Sequence, residues 1–126
     1  MKTNIVLTIN NLDNNGKIEN QTIYKEKGIY KNVDGKEILS FINNDRIFNI
    51  TKTLSYIELI NKLDTSSKIY LSNSLSYAEF NNEYGTIKLD VIYKYNNFNK
   101  NHWHIIYEIV NTENIIFDIT IDFTNQ

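Results

Sequence analysis

The stretch Thr86-Ile87-Lys88-Leu89-Asp90-Val91-Ile92-Tyr93-Lys94-Tyr95-Asn96 decides the fold. Ile87, Leu89, Val91, Tyr93 and Tyr95 share one parity, while Thr86, Lys88, Asp90, Lys94 and Asn96 share the other. Side chains of a strand point to opposite faces in turn, so this alternation marks a strand with one buried and one wet face. Trp103, Ile105, Tyr107 and Ile109 repeat the pattern, and Ile115, Phe117, Ile119, Ile121 and Phe123 repeat it again. Odd-numbered residues from Ile87 to Phe123 are therefore expected to face inward. Three such strands joined by Asn-rich turns make an antiparallel meander.

Working back along the chain, turn signals recur at hairpin spacing. Asp13-Asn14-Asn15-Gly16, Asn32-Val33-Asp34-Gly35 and Asn43-Asn44-Asp45 each separate runs rich in β-branched and aromatic residues. Segments near 4–10, 17–30, 36–42, 46–52, 56–62, 68–72 and 76–81 precede the three described above, and Gly28 inside the second marks a bend of the kind barrels use at corners. Tyr56–Leu63 also fits the spacing of one helical turn. Ala occurs once, at Ala78, and Pro never, which argues against any long helix. The fold class predicted is all-β, an antiparallel meander closing as a barrel of about eight strands, with the ten candidate segments partly merging or lying outside the ring.

A length of 126 residues without a linker-like tract reads as a single domain, 1–126. The 41% hydrophobic and 22% charged content is globular, and a net charge of −2 leaves no basic footprint for nucleic acid or anionic membrane. Among the cationic residues Arg46 is the one guanidinium. The absence of cysteine excludes disulfides, thiol catalysis and Cys-ligated zinc. No segment has the continuous apolar core of a signal peptide or spanning helix, so residence in the cytoplasm is the expectation.

Phe80-Asn81-Asn82-Glu83-Tyr84-Gly85, followed by Lys88–Tyr95 and the closing hairpin, resembles the YwiB-like family of small bacterial proteins. Gly28-Ile29-Tyr30 and Ile38-Leu39-Ser40-Phe41 are similar to that family's early pattern. The resemblance spans nearly the whole chain. It implies a calycin-type, lipocalin-like barrel and brings no established biochemical activity with it.

Three constellations carry functional candidates. Tyr93, Tyr95, Trp103 and Tyr107 lie on the inward parity, where apolar bodies with a few polar tips suit a small apolar or amphipathic ligand. His102 and His104 share the outward face, and equal-parity pairing across the closing hairpin brings Asp122 beside one of them. One register sets His104 opposite Asp122, and a tighter one sets His102 there. Two imidazoles and one carboxylate fall short of a tight zinc site, so no metal is expected. The outward Ile92, Ile106, Val110 and Ile116 could form an apolar strip for a protein partner or a second copy. There is no Gly-x-Ser-x-Gly, no phosphate-binding loop, and Glu26, Glu37, Glu58, Glu79 and Glu83 are scattered. The expectation is a non-enzymatic barrel without a cofactor. It either holds a small ligand in its interior or, as a solid barrel, acts through its outer face.

Overall fold

The computed structural model describes residues 1–125, the last of these by its backbone alone. The chain runs as β1 (Lys2–Leu12), β2 (Ile18–Val33), β3 (Lys36–Asn43), β4 (Arg46–Lys52), β5 (Tyr56–Lys62), β6 (Ser66–Ser72), β7 (Tyr77–Asn82), β8 (Gly85–Phe98), β9 (His102–Ile109) and β10 (Ile115–Asn125). Each strand pairs antiparallel with the next, and β1 pairs with β10, so the meander closes on itself as a barrel. The number of strands corrects the expected eight to ten. The short β6 and β7 neither merge nor fall outside the ring, because each carries a ladder on both sides. Tyr56–Lys62 is a strand, held extended by pairing with both β4 and β6.

Local chemistry explains the tightest turns. Val33 pairs with Lys36 and Asn43 with Arg46, which leaves two residues in each connection. Both residues have positive φ in each case: 52° at Asp34 and 82° at Gly35, 48° at Asn44 and 67° at Asp45. That geometry matches the right-handed twist of the flanking strands, and Asn, Asp and Gly adopt it at the lowest cost.

The inward parity fills the barrel. Ile5 and Leu7, Leu39 and Phe41, Phe48 and Ile50, Ile69 and Leu71, Trp103 to Ile109 on alternate positions, and Ile119, Ile121 and Phe123 are all buried. The expected inward face of β9 and β10 is therefore present. Within the strands four odd-numbered residues depart from it: Asn97 is exposed, and Ile87, Tyr95 and Ile115 are 58%, 43% and 41% exposed.

The reason for Tyr95 is a bulge. Tyr93 pairs with Tyr107, but the next ladder partner on β8 is Tyr95, opposite Ile106, so Lys94 is an extra residue. Beyond it the parity inverts. Asn96 faces Ile105 and Phe98 faces Trp103 on the inner side, while Tyr95 sits outside, edge-on to His104 at 5.0 Å. Ile87 is exposed for another reason. Gly85–Asp90 pair with β7 alone, because the ladder to β9 begins at Val91.

β2 also changes neighbour along its length. It pairs with β1 from Ile18 to Ile29 and with β3 only from Ile29 to Val33. The strands part at Gly28, where an added Cβ would lie 2.2 Å from the Ser40 carbonyl oxygen and 2.7 Å from Ile5 Cδ1. Only a residue without a side chain allows that approach.

Candidate functional site

The two ends of the barrel differ in how they are filled. At the end carrying the β4–β5 and β8–β9 turns, Trp103 is 1% exposed and packs edge-on against Phe123 at 5.0 Å and Phe98 at 6.4 Å. Tyr30 stacks on Phe123 at 5.5 Å and donates its hydroxyl to Glu37 at 2.8 Å. Lys52 pairs with the same carboxylate at 3.1 Å and lies 4.9 Å from the Phe98 ring centre. Aromatic faces and a satisfied charge network fill the middle of this end, beside a hollow of about 350 Å³ between the Thr53–Tyr56 turn and Tyr93, Asn96 and Phe98.

The other end, with the β3–β4, β5–β6 and β7–β8 turns, holds a chamber of about 180 Å³. Its wall is mostly apolar, with Leu59, Ile69, Phe80, Ile109 and Phe117 among the lining residues, and the polar lining comes from Asn61, Ser67 and Tyr107. Strand parity explains each position. Asn61 continues the inward series Ile57, Leu59, and faces Ser67, which precedes Ile69 and Leu71 on the inward side of β6. Tyr107 is 4% exposed and stacks on Phe117 at 5.3 Å. Burial pushes its phenol well above the ordinary tyrosine range. Its hydroxyl makes no hydrogen bond to a described residue, yet no fully buried side-chain polar atom among the described residues lacks a partner. The hydroxyl must therefore reach open space, and the open space beside Tyr107 is the chamber.

Of the four aromatic candidates, the chamber takes only Tyr107. Trp103 belongs to the filled end. Tyr93 is half-buried and borders two other hollows, of about 270 Å³ against Ser72–Ser76 and about 350 Å³ against Thr53–Tyr56, with its phenol raised by partial burial. Tyr95 corrects the sequence expectation, since the bulge at Lys94 turns it to the outer face. Asn61 and Ser67 escaped the sequence reading. Their signal is a polar residue on an otherwise apolar parity, at the inward positions flanking the β5–β6 turn.

The closing hairpin adopts the second of the two registers, with His102 opposite Asp122 and Trp103 opposite Ile121, but over an open connection of residues 110–114 rather than a tighter turn. His102 Nδ1 meets the Asp122 carboxylate, and His104 Nε2 lies 2.7 Å from Asp118 diagonally across the strands. Each imidazole thus has its own carboxylate. Among the described residues no group of three His, Asp or Glu side chains converges as a metal site. On the same face Ile92 and Val110 are exposed, but Glu108 pairs with both Ile92 and Ile116 and interrupts the strip. Lys94 approaches Glu108 at 2.9 Å and Asn114 donates to it at 2.7 Å, and these contacts hold its carboxyl below the usual range.

No family model and no curated protein matches this chain. Among solved structures, the crystal structure of the ywiB protein from Bacillus subtilis aligns with a TM-score of 0.70 over 99% of this chain and 93% of that one, at 13% identity. That likeness is one of fold. The resemblance to YwiB-like proteins read from the sequence holds at this level, and the chain is a closed antiparallel barrel of that kind.

Proposed function

We propose that this protein is a cytoplasmic, non-enzymatic barrel that binds one small amphipathic molecule, its apolar body among Leu59, Ile69, Phe80 and Phe117 and its polar end toward Asn61 and Ser67. The observation that carries this reading is the Tyr107 hydroxyl, which has no hydrogen-bond partner among the described residues and opens onto an apolar chamber. A ligand or a bound water in the chamber would supply that hydroxyl with its partner. The volume sets the scale of the ligand. A chamber of about 180 Å³ suits a body near the size of benzene, which a dry cavity of roughly 150 Å³ accommodates.

The test is native mass spectrometry of protein purified from its own cell, together with calorimetric titration of 1-hexanol. A retained small molecule, or saturable 1-hexanol binding that Leu59→Trp abolishes by filling the chamber, is expected. Absence of both overturns the reading.

A second reading, self-association through the outer surface, is favoured by a different place from the β8–β10 face. Among the described residues the edge of β2 away from β1 has no partner strand from Ile18 to Gly28, because the β3 ladder begins at Ile29. Beside it Ile29, Ile42 and Ile47 line an open groove of about 530 Å³. The occupant proposed is a second copy of the same edge, since antiparallel pairing brings Glu19 against Lys25 and Lys27 of the other copy. Sedimentation across a concentration series is expected to show dimer that Lys25→Glu with Lys27→Glu disperses and added Glu19→Lys restores. A monomer at every concentration rejects it.

A further inference from the structure

We infer that the molecule held in the chamber is a small monocarboxylate, with Arg46 as the group that recognises its charge. This rests on the chamber reading above and narrows it to a ligand class.

Arg46 is the chain's one arginine, and strand parity puts it on the inner face of β4, two positions outside the buried Phe48 at the open end. Its Nη1 donates to Asn61 Oδ1 at 2.7 Å, and its Nη2 reaches Thr65 Oγ1 at 3.3 Å. Three lysines of the barrel wall have carboxylate partners, Lys52 with Glu37, Lys68 with Glu58 and Lys94 with Glu108, while outward lysines such as Lys25 and Lys88 have none among the described residues. Arg46 has no ion pair among the described residues. The neighbouring inward acid, Glu26, instead accepts from Asn43 Nδ2 at 2.9 Å.

The bond from Arg46 also sets the chemistry of the chamber's polar side. With Oδ1 of Asn61 occupied by the guanidinium, the amide offers its Nδ2 hydrogens. Ser67, opposite Asn61, and Tyr107 add hydroxyls that make no hydrogen bond to a described residue. An amide N–H and two hydroxyls line the otherwise apolar chamber, and the guanidinium stands one residue outside that lining, held to Asn61. Such a set is short of acceptors, and the acceptor that satisfies it best carries a negative charge. The planar fork of a guanidinium matches a carboxylate's two oxygens. The apolar body is bounded by the chamber volume of about 180 Å³, which admits a benzoate- or hexanoate-sized molecule and excludes a long-chain fatty acid.

Calorimetry with hexanoate, its neutral counterpart 1-hexanol, and acetate tests the class. On the wild type, hexanoate is expected to bind about tenfold or more tightly than 1-hexanol, because charge-assisted hydrogen bonds contribute at that level. Acetate, which lacks the body, is expected to bind far more weakly than hexanoate. Arg46→Gln is expected to remove the hexanoate advantage while 1-hexanol stays within about twofold, and Arg46→Lys to recover part of it. The urea midpoint of each variant establishes that it is folded. Equal affinity for hexanoate and 1-hexanol overturns the carboxylate assignment and leaves the chamber reading standing. A parallel loss of both ligands in a folded Arg46→Gln makes Arg46 a prop for Asn61 and overturns its recognition role. Failure of every probe to bind the wild type overturns both readings together.

Discussion

β2 and β8, the longest strands at 16 and 14 residues, both exchange one neighbour for another partway along, but they do so by different means. β2 changes from β1 to β3 around Gly28, where the missing side chain lets the Ser40 carbonyl come close. β8 changes from β7 to β9 at Val91 and then takes in Lys94 as an extra residue, which inverts its faces beyond Tyr93. Both devices bend a strand to fit a closed ring. The difference lies in what each leaves behind in the sequence. A glycine is a residue type and stands out; a bulge is a residue count, and Lys94 resembles any other polar member of an alternating run.

The sharpest way to break this comparison is Gly28→Val. Its branches would add to a Cβ already in collision with the Ser40 carbonyl and Ile5. The expected loss is about 3 kcal/mol or more in urea unfolding, beyond ordinary overpacking because backbone must move. A loss below about 1 kcal/mol would mean that the corner does not depend on the close approach.

The β8 device is tested by a pair of truncations. Phe98 is half-buried against Trp103 on the inner side, and Tyr95 is 43% exposed outside. Phe98→Ala is expected to cost about 2–3 kcal/mol and Tyr95→Ala under about 1 kcal/mol. Equal losses would place the extra residue elsewhere, and a reversed order would restore unbroken alternation through Tyr95.

Tyr107 sits opposite Tyr93, the last inward pair before the bulge, and gives a titration handle on the same region. Burial raises its folded pKa above the ordinary value of 10.0. Above that pH the unfolded chain releases the proton while the folded chain keeps it, so stability falls as pH rises. The contribution of one such group is about 1 kcal/mol between pH 10 and 11. Tyr107→Phe is expected to flatten the alkaline limb of a stability–pH curve by that amount. An unchanged limb would mean that the phenol reaches bulk water.

The smallest effect is expected on the outer face, where the inverted Tyr95 meets His104. Replacing His102 and His104 together by Gln should shift stability by less than about 1 kcal/mol, as surface changes do. Zinc titration provides the sharper readout there. Submicromolar affinity lost in the double variant would turn this wet face into a metal site.

Much of the architecture was legible because period-2 patterning is local. Ile105, Tyr107, Ile119 and Ile121 fall inward because each strand of the closing hairpin must bury one face. The register of that hairpin was narrowed to two choices by parity, and the connection between Ile109 and Ile115 selects one of them. The strand count escaped, because whether β6 and β7 keep separate places depends on neighbours elsewhere in the ring. The site was legible in one residue, Tyr107. Tyr95 was misplaced by the bulge. Trp103 was placed inward correctly, but inward at the filled end, which no local pattern distinguishes from the chamber. Asn61 and Ser67 broke an apolar parity in plain view, yet their convergence with Arg46 follows from cross-strand neighbours and turn positions.

The seam between β1 and β10 has a kinetic consequence. The other ladders of the ring join strands that follow one another, so they can zip hairpin by hairpin. The seam joins the two ends of the chain, and Thr3 donates its hydroxyl to the Thr124 carbonyl 121 residues away at 2.7 Å. β1 must therefore wait, with Ile5 and Leu7 uncovered, until the strand bearing Ile119, Ile121 and Phe123 arrives. During that interval two long apolar edges lie open at once, and each is a template for the other edge of a different molecule as well as its own. Refolding yield should accordingly fall with protein concentration more steeply than the stability of the finished barrel would suggest, the loss being settled in a race between closing and cross-pairing.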